Sequence, residues 1–592
     1  MAPSGVPPRR SAPSAHVILM NTPRPTPSAP VTLRAFIAAS ALTTAAAAYA
    51  QTPPAPGYGI GDAMKEAQPP RPPAPREAPV PSIEQQQDER PMALPAGETL
   101  TVHAFRFEGA DFIPEAELQA AVGPYAGRAL TLGEIEAAAA RITALYRERG
   151  YLVARAYVPR QDASEGTLTL RVLVGRYGRF TFRNESLVRD GLVQGAFAGV
   201  QGDEAITRDG LERAMLIVAD MPGAQLPRLR IAPGQAQGSS DLDVEVDADP
   251  TVAGYVLADN QGSRYTGKNR LRAGLDVNSP LGIADRLSLS GTRAQGEGLV
   301  NGRLAYGVPL MANGLRAEIA VSKTTYELGD DYEELEATGT AHTVEAGLSY
   351  PVVRSRGQNL SLGFSLAAKR MRDEIDALDT AIPKKAKVGT LTLQHEAWGS
   401  LLGRQGYSSV TAGLAYGYLD ITDAAQKALN AAGADTVGHY GRFNLGLNGS
   451  LSLGGDWSLS ASLGLQKALR DKNLDTSEQM TISGSNGVKA YRETVSGDNG
   501  YLLGAELRYL LPAVAGLTHS VGLFADTGRI HQQKADYTDT NGVRLSDVGL
   551  GYYASYRSLF GGVQVARGVG ARPDAVARDD RTRVLLQLGM VF

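Results

Sequence analysis

Cysteine is absent from the 592 residues, which excludes a disulfide frame, a thiolate metal site and a cysteine nucleophile. No apolar run approaches the roughly 20 residues that a membrane-spanning helix requires. Charged residues make up only 20%, below the usual share of about a quarter, and tryptophan occurs twice. The seven histidines are scattered; His395-Glu396 lacks the second histidine of a zinc protease motif, and no G-x-S-x-G occurs. Gly262 to Lys268 spells G-x-x-x-x-G-K, yet Asn269 replaces the required Ser or Thr, and strand-like segments flank it where strand then helix is needed. An enzyme, a cofactor and a metal are therefore not expected. The formal net charge is −3. Arg9, Arg10, Arg24 and Arg34 stand in the first 50 residues without an acid, so the remainder carries −7, which argues against a nucleic-acid partner.

What the chain does have is glycine, 67 residues, well above the typical share of about 7% and suited to a sheet protein with many turns. Its start reads as a secretory leader over residues 1–50. Arg34 precedes an apolar run from Ala35 that ends in Ala48-Tyr49-Ala50, an A-x-A-like cleavage site, and Met20 is the start that gives a leader of ordinary length. Residues 51–98 are rich in proline, which fixes φ and removes donors, so an extended linker is expected. Within it, Ile83 to Arg90 has the composition for two helical turns.

Two units of similar order follow, at residues 99–175 and 176–249, each predicted as strand, two helices and two strands. In the first, Thr131 and Glu134 form a capping box. Ile135, Ala138, Ala139, Ile142, Leu145 and Tyr146 make one helical stripe, and Gly150 ends it. Strands are expected at Leu152 to Val158 and Thr167 to Val174. From residue 250 the helical period gives way to alternation. Leu360, Leu362, Phe364 and Leu366 interleave with Ser361, Gly363 and Ser365; Leu459, Ala461, Leu463 and Leu465 interleave with Ser460, Ser462 and Gly464. Many such segments reach about 9 to 11 residues, the length that crosses a bilayer at a tilt, whereas soluble strands average about five or six. Sixteen are placed between Val252 and Phe592, and the last, Arg583 to Phe592, ends in an aromatic carboxyl terminus. The expectation is a mainly β protein: a C-terminal 16-stranded antiparallel transmembrane β-barrel at residues 250–592 behind two α+β (βααββ) units. Closure is what lets a sheet satisfy its backbone in lipid. Tyr255, Tyr306, Tyr350, Tyr416, Tyr509, Trp398 and Trp457 are expected at interface girdles.

Several motifs carry a resemblance. Tyr146-Arg147-Glu148-Arg149-Gly150-Tyr151-Leu152 followed by Val158-Pro159-Arg160-Gln161, Asp259-Asn260-Gln261-Gly262, Thr266-Gly267 and Asn278-Ser279-Pro280-Leu281-Gly282 are similar to those of two-partner secretion transporters. That family is the haemolysin secretion/activation (ShlB/FhaC/HecB) type, with polypeptide-transport-associated (POTRA) domains. Most specific are Val488-Lys489-Ala490-Tyr491 and Phe524-Ala525-Asp526-Thr527-Gly528, which resemble the family's loop-six tip and the strand that receives it.

The resemblance implies an outer-membrane protein with periplasmic N-terminal domains. It would secrete, and in this family can activate, a large unfolded partner protein without ATP. Outer-membrane lipid surrounds such a barrel, the outer-membrane assembly machinery reads the C-terminal Phe592, and a monomer is expected. An insertase of the same superfamily would call for more POTRA units, and a diffusion porin would need no N-terminal half.

The alternation also bears on the lock. In the strand from Val521 to Thr527 the phase of Leu523 and Ala525 puts Phe524, Asp526 and Gly528 in the lumen, where a confined carboxylate needs a cation. Lys489 is the cation that the family motif brings there, in place of the usual arginine, and it cannot form a bidentate fork. Glu506 and Arg508 face inward and are expected to complete the network. Strand addition of the cargo is expected in the first unit at Leu152, Val153, Tyr157 and Val158. The family's N-terminal helix can plug the pore, and Ile83 to Arg90 is the segment available for it.

Overall fold

The computed structural model describes residues 58–68, 83–85, 99–161, 165–236, 238–538, 541–577 and 579–592. The expected leader, the remaining linker residues and positions 86–90 lie outside them. Helix α1 (Ile60–Glu66) and strand β1 (Ile83–Gln85) come first. The helix expected over Ile83 to Arg90 is thus corrected at residues 83–85. Residues 83–85 are extended and pair in parallel with a strand of the second α+β unit, because the free edge of that sheet offers backbone partners that two isolated helical turns would lack.

The first unit contains β2 (Thr99–Val102), β3 (Ala104–Glu108), α2 (Glu115–Val122), β4 (Arg128–Thr131), α3 (Leu132–Glu148), β5 (Ala154–Tyr157) and β6 (Thr167–Val174). The Thr131 hydroxyl accepts from the Glu134 amide at 3.3 Å, and the Glu134 carboxylate accepts from the Thr131 amide at 2.8 Å, so the box caps α3 from both sides. Ile135, Ala138, Ala139, Ile142, Leu145 and Tyr146 form the buried face of α3. They pack on Leu168, Leu170 and Val172 of β6, the middle strand of a β3-β6-β5 sheet. The opening strand expected of the unit is two, β2 and β3, broken at His103, whose amide donates to the Gly166 carbonyl at 2.7 Å. The extra strand β4 pairs with β2.

The second unit contains β7 (Arg176–Asn184), α4 (Asp190–Gln201), α5 (Arg208–Ala219), β8 (Arg228–Pro233) and β9 (Ser239–Val246), with strand order β1-β8-β9-β7. The units are joined by backbone bonds: Arg208 donates to the Gly150 carbonyl at 2.8 Å and Ile206 to that of Gly175 at 2.9 Å.

Sixteen antiparallel strands then close a barrel. They begin with β10 (Val252–Asp259), β11 (Arg270–Asn278), β12 (Arg286–Ala294), β13 (Leu299–Pro309) and β14 (Arg316–Glu327). The tallest are β15 (Ala337–Arg354), β16 (Gln358–Ile375), β17 (Thr380–Leu401), β18 (Arg404–Ile421) and β19 (Gly438–Gly454), with α6 (Ala424–Ala432) in the loop between the last two. After β20 (Trp457–Ala468), a long loop holds the short pair β21 (Met480–Thr481) and β22 (Ser496–Gly497). The wall finishes with β23 (Asn499–Val514), β24 (Leu517–His531), β25 (Gly542–Tyr556), β26 (Leu559–Gly568) and β27 (Thr582–Val591).

The alternation sorts side chains as a membrane barrel requires. Leu366, Leu523, Leu550 and Leu588 are each more than half exposed on the outer wall, while their strand neighbours turn inward. Among the described residues no helix is long and apolar enough to cross a membrane. Of the aromatic residues expected at girdles, Trp457 and Tyr509 meet on the outer wall, 4.8 Å between ring centroids, whereas Tyr255 points inward over Gly274, where a Cβ would strike its ring.

The seam of the barrel is short. β10 and β27 pair only from Tyr255↔Val591 to Asp259↔Gln587. Phe592 and Gly254 exchange backbone hydrogen bonds of 2.8 and 3.0 Å beyond it, and the Asn260 side chain bonds Val584 and Leu586 at the other end. The second α+β unit docks on the turns at one mouth. The Arg354 guanidinium grips both oxygens of Asp220 at 2.7 and 2.8 Å, and Arg189 donates its amide to the Gly282 carbonyl at 2.9 Å. The long loop and α6 belong to the opposite mouth.

Candidate functional site

Inward-facing side chains near that opposite mouth enclose two segments from outside the wall, the long loop and α1. The loop returns into the lumen. Val488, Ala490 and Tyr491 are buried with Ile482 and Val495 against Phe524, Ile530, Leu545, Ala566 and Leu585 of the wall. Gly528 leaves the room for this approach, since a Cβ there would lie 2.9 Å from that of Ile482. At Gly568 a Cβ would lie 2.7 Å from the Tyr491 hydroxyl. At the tip, the Lys489 ammonium meets one oxygen of Asp526 at 2.6 Å and lies 4.6 Å from the centre of the Phe524 ring. The structure thus brings together Val488, Lys489, Ala490, Tyr491, Phe524, Asp526 and Gly528.

Glu506 is in register with Phe524, but neither it nor Arg508 bonds to Lys489 or Asp526. Both face the lumen, but the Arg508 guanidinium pairs with Glu506 at 2.9 Å and stacks 4.1 Å from the Tyr553 ring centre, nearer the other mouth. Their place at the tip is taken by Asp547, in register with Asp526, which accepts the Ala490 amide at 2.7 Å. Arg583 joins from β27 and donates to the carbonyls of Lys489 and Tyr491, each at 3.3 Å. Register on neighbouring strands brings these groups together, so no local spacing in the sequence signals them.

Just past the tip the loop ties three parts of the lumen together. Glu493 accepts from the Ser263 hydroxyl at 2.8 Å and from Arg264 at 2.9 Å; Arg264 also reaches Asp579 at 2.7 Å. Burial pushes the Glu493 carboxyl up, against the pull of Arg264. The Arg492 amide donates to Asp579 at 3.0 Å, and its side chain to the Gly262 carbonyl at 2.9 Å. The Asp259-Asn260-Gln261-Gly262 and Thr266-Gly267 motifs therefore lie where the loop lands.

The second segment, α1, packs Tyr58, Ile60, Ala63 and Ala67 against inward-facing Tyr326, Ala337, Ala341, Met371, Ala386 and Tyr440. Its first amide in the helix, Ile60, donates to Asp373 at 2.7 Å, an oxygen that also takes the Tyr326 hydroxyl at 2.8 Å. At its C-terminus the Arg272 guanidinium donates to the carbonyls of Glu66 and Gln68, at 3.2 and 2.8 Å, so a cation satisfies the orphan end. Glu66 collects the Ser263 amide at 3.0 Å and the hydroxyls of Tyr58 and Thr266 at 2.8 and 3.1 Å.

The helix and the loop touch at Gly61, where a Cβ would sit 2.6 Å from the Thr476 carbonyl carbon. Beside this contact Lys384 bridges Asp373 and Asp475, and Glu478 holds Lys369 and Arg442 at 2.6 and 2.9 Å. Burial opposes the charge on Asp475, but Lys384 and the Ser477 groups outweigh it and bring its carboxyl down to about 2. Asp62, 4% exposed, has weaker compensation. Burial raises its carboxyl to about 6 despite Lys65.

The sequence reading missed α1 because it lies inside the proline-rich stretch. The available signal was its interruption: residues 57–68 are the longest proline-free run between Pro53 and Pro81.

The haemolysin secretion/activation protein ShlB/FhaC/HecB family matches residues 238–553, and the ShlB-type POTRA domain matches residues 100–175. The chain belongs to the ShlB/FhaC/HecB family. Among relatives, the heme/hemopexin transporter protein HuxB of Haemophilus influenzae is 27% identical over 433 residues, covering 72% of this chain and 76% of its own. The outer membrane transporter CdiB of Dickeya dadantii is 23% identical over 458 residues, covering 74% of this chain and 78% of its own. The solved structure of CdiB from Escherichia coli shares the fold, with a TM-score of 0.68 at 22% identity over 85% of this chain and 93% of that one. Membership in the family makes this chain an outer-membrane transporter that secretes a partner exoprotein, with its POTRA domains in the periplasm. The POTRA-bearing mouth of the barrel is thus periplasmic and the mouth holding α1 and the long loop is external.

Proposed function

We propose that the chain exports its partner as an unfolded polypeptide, without ATP, through a lumen that α1 and the long loop close at rest. The observation that carries this reading is the shared anchorage at the outer mouth. Glu66 of the helix and Glu493 of the loop both hold Ser263 of the first external hairpin, at 3.0 and 2.8 Å. Leaving of α1 vacates the space beside Gly61, while the Lys489 to Asp526 contact keeps the loop tip on the wall as the chain passes. The two POTRA units and the filled lumen favour this reading over a diffusion porin.

Capture of the cargo begins by strand addition, in which backbone bonds supply affinity. In the second unit the outer edge of β8 is already taken by β1; β5, one edge of the β3-β6-β5 sheet, is the edge assigned to the cargo. Tyr157 lies on β5 with Val158 just after it. Leu152 and Val153 precede the strand and pack on the core of the second unit; they position the edge rather than receive the cargo. Phe592 is read by the assembly machinery as the barrel is built, and the working form is a monomer.

The test is genetic and electrical. A strain lacking the chain should retain the partner exoprotein in the periplasm; the same amount outside the cell would refute secretion. Purified protein lacking residues 58–68 should conduct ions steadily in a planar bilayer. An equal conductance in the intact chain would refute closure by α1.

A further inference from the structure

Strands β14 to β17 turn a row of cations toward the membrane side at the external end. Lys323 on β14 is in register with His342 on β15, His342 with Arg370 on β16, and Arg370 with Lys385 on β17. Lys387 follows two residues along β17, and all five side chains are exposed. Like charges placed directly opposite weaken a sheet, so such a row calls for an anion. Among the described residues no acid forms an ion pair with it. Asp420, in register with Lys385, is held by Lys427 at 2.6 Å, and Glu374 is held by Arg372 at 2.6 Å. Among the described residues Lys323, Arg370, Lys385 and Lys387 have no ion pair.

The position of the row identifies the anion. Each cation shares the outer face of its strand with the apolar band: Lys323 with Ile319 and Val321, Arg370 with Phe364 and Leu366, Lys387 with Leu391 and Leu393. At about 3.3 Å per residue the charges lie roughly 7 to 20 Å beyond the band, Lys385 the farthest, on the side away from the POTRA domains. A ligand that satisfies both parts has acyl chains below and phosphate above. Arg470 adds a further cation nearby, 5.5 Å from the ring centre of outward-facing Tyr416.

We propose that this face is a docking site for a phosphorylated glycolipid of the external leaflet. Its phosphates lie between Lys323, Arg370, Lys385 and Lys387, and its acyl chains lie along Phe364, Leu366 and Leu391. A soluble acidic peptide would use the charges but leave the apolar half in contact with other lipid, which is why a lipid is the better occupant.

The full chain in non-ionic detergent, mixed with diphosphorylated lipid A, tests this by native mass spectrometry of the bound lipid. Each basic residue near an anionic lipid surface changes partition by about fivefold. Lys323→Gln/Arg370→Gln/Lys385→Gln/Lys387→Gln should therefore lower lipid A retention at least tenfold, while Arg370→Lys retains it. Dephosphorylated lipid A should bind the native chain as weakly as the quadruple variant binds lipid A. Should the quadruple variant lose the heat-modifiable mobility of a folded barrel, Lys385→Gln/Lys387→Gln carries the test, with a loss of fivefold or more. Undiminished lipid A retention by a folded variant, or equal retention of the dephosphorylated lipid, would overturn the proposal. Binding of an acidic peptide without lipid A would overturn it too and assign the face to a protein.

Discussion

The contact between Lys489 and Asp526 lends itself to a double-mutant cycle. The lysine makes a single 2.6 Å contact, and the Asp526 side chain is only 8% exposed. Asp547 lies next to it in register and spends one oxygen on the Ala490 amide. Lys489→Ala therefore leaves two neighbouring carboxylates without their cation, a change that costs about 3–5 kcal/mol at buried pairs. Asp526→Asn leaves the ammonium with Asp547 within reach and should cost less, about 1–3 kcal/mol. With both changes made, one carboxylate and no stranded lysine remain, so the double variant should fall about 2 kcal/mol short of the sum.

Hydrogen exchange of amides 482–495 in detergent reads this directly. A loss of about 3 kcal/mol raises local opening on the order of a hundredfold, and secretion should fall with it. Lys489→Arg should slow exchange, because a guanidinium can engage both oxygens of Asp526. If the two single losses add in the double variant, the loop tip does not depend on this pair and the argument fails.

Gly61→Ala places a methyl group against the Thr476 backbone, which cannot rotate away. Overpacking of this kind costs about 1–3 kcal/mol, so raised conductance is expected, and wild-type conductance would show that α1 is not pressed on the loop. Asp62 sets a pH dependence. Its carboxyl is raised from 3.8 to about 6 in the docked helix, so docking is strongest at and below pH 4 and weakens as pH rises through about 6, by up to ~3 kcal/mol. Conductance should rise over that window in the native chain and stay flat in Asp62→Asn; equal slopes in the two would exclude Asp62 as the source. At the periplasmic mouth, Asp220→Ala should free Arg354 and raise proteolysis of the junction between POTRA domain and barrel, by an amount matching about 1 kcal/mol for a half-exposed bidentate pair. Unchanged proteolysis would mean that the Arg189 contact to Gly282 suffices.

Much of this was legible in the sequence, because a barrel wall obeys a period of two and an amphipathic helix a period of 3.6. Those local rules identified the wall strands, the capping box at Thr131 and the inward phase of Phe524, Asp526 and Gly528. The short motifs around Lys489 and Asp526 pointed to groups that do meet. Local rules say nothing about partners chosen by register or by a return of the chain. That is why Glu506 and Arg508, correct in phase, pair with each other and not with Lys489 or Asp526, and why Asp547, Arg583 and Glu493 went unnoticed.

The clearest division is between Ile83 to Gln85 and Ile60 to Glu66. Residues 83 to 85 have a helical composition and become a strand because a sheet edge lies beside them. Residues 60 to 66 sit in a proline-rich stretch and become a helix because the lumen buries one face and Arg272 caps the end. Segments this short carry too little propensity to decide their own conformation. The alternating wall followed from the order of residues alone, and what fills it was decided by the closed wall itself.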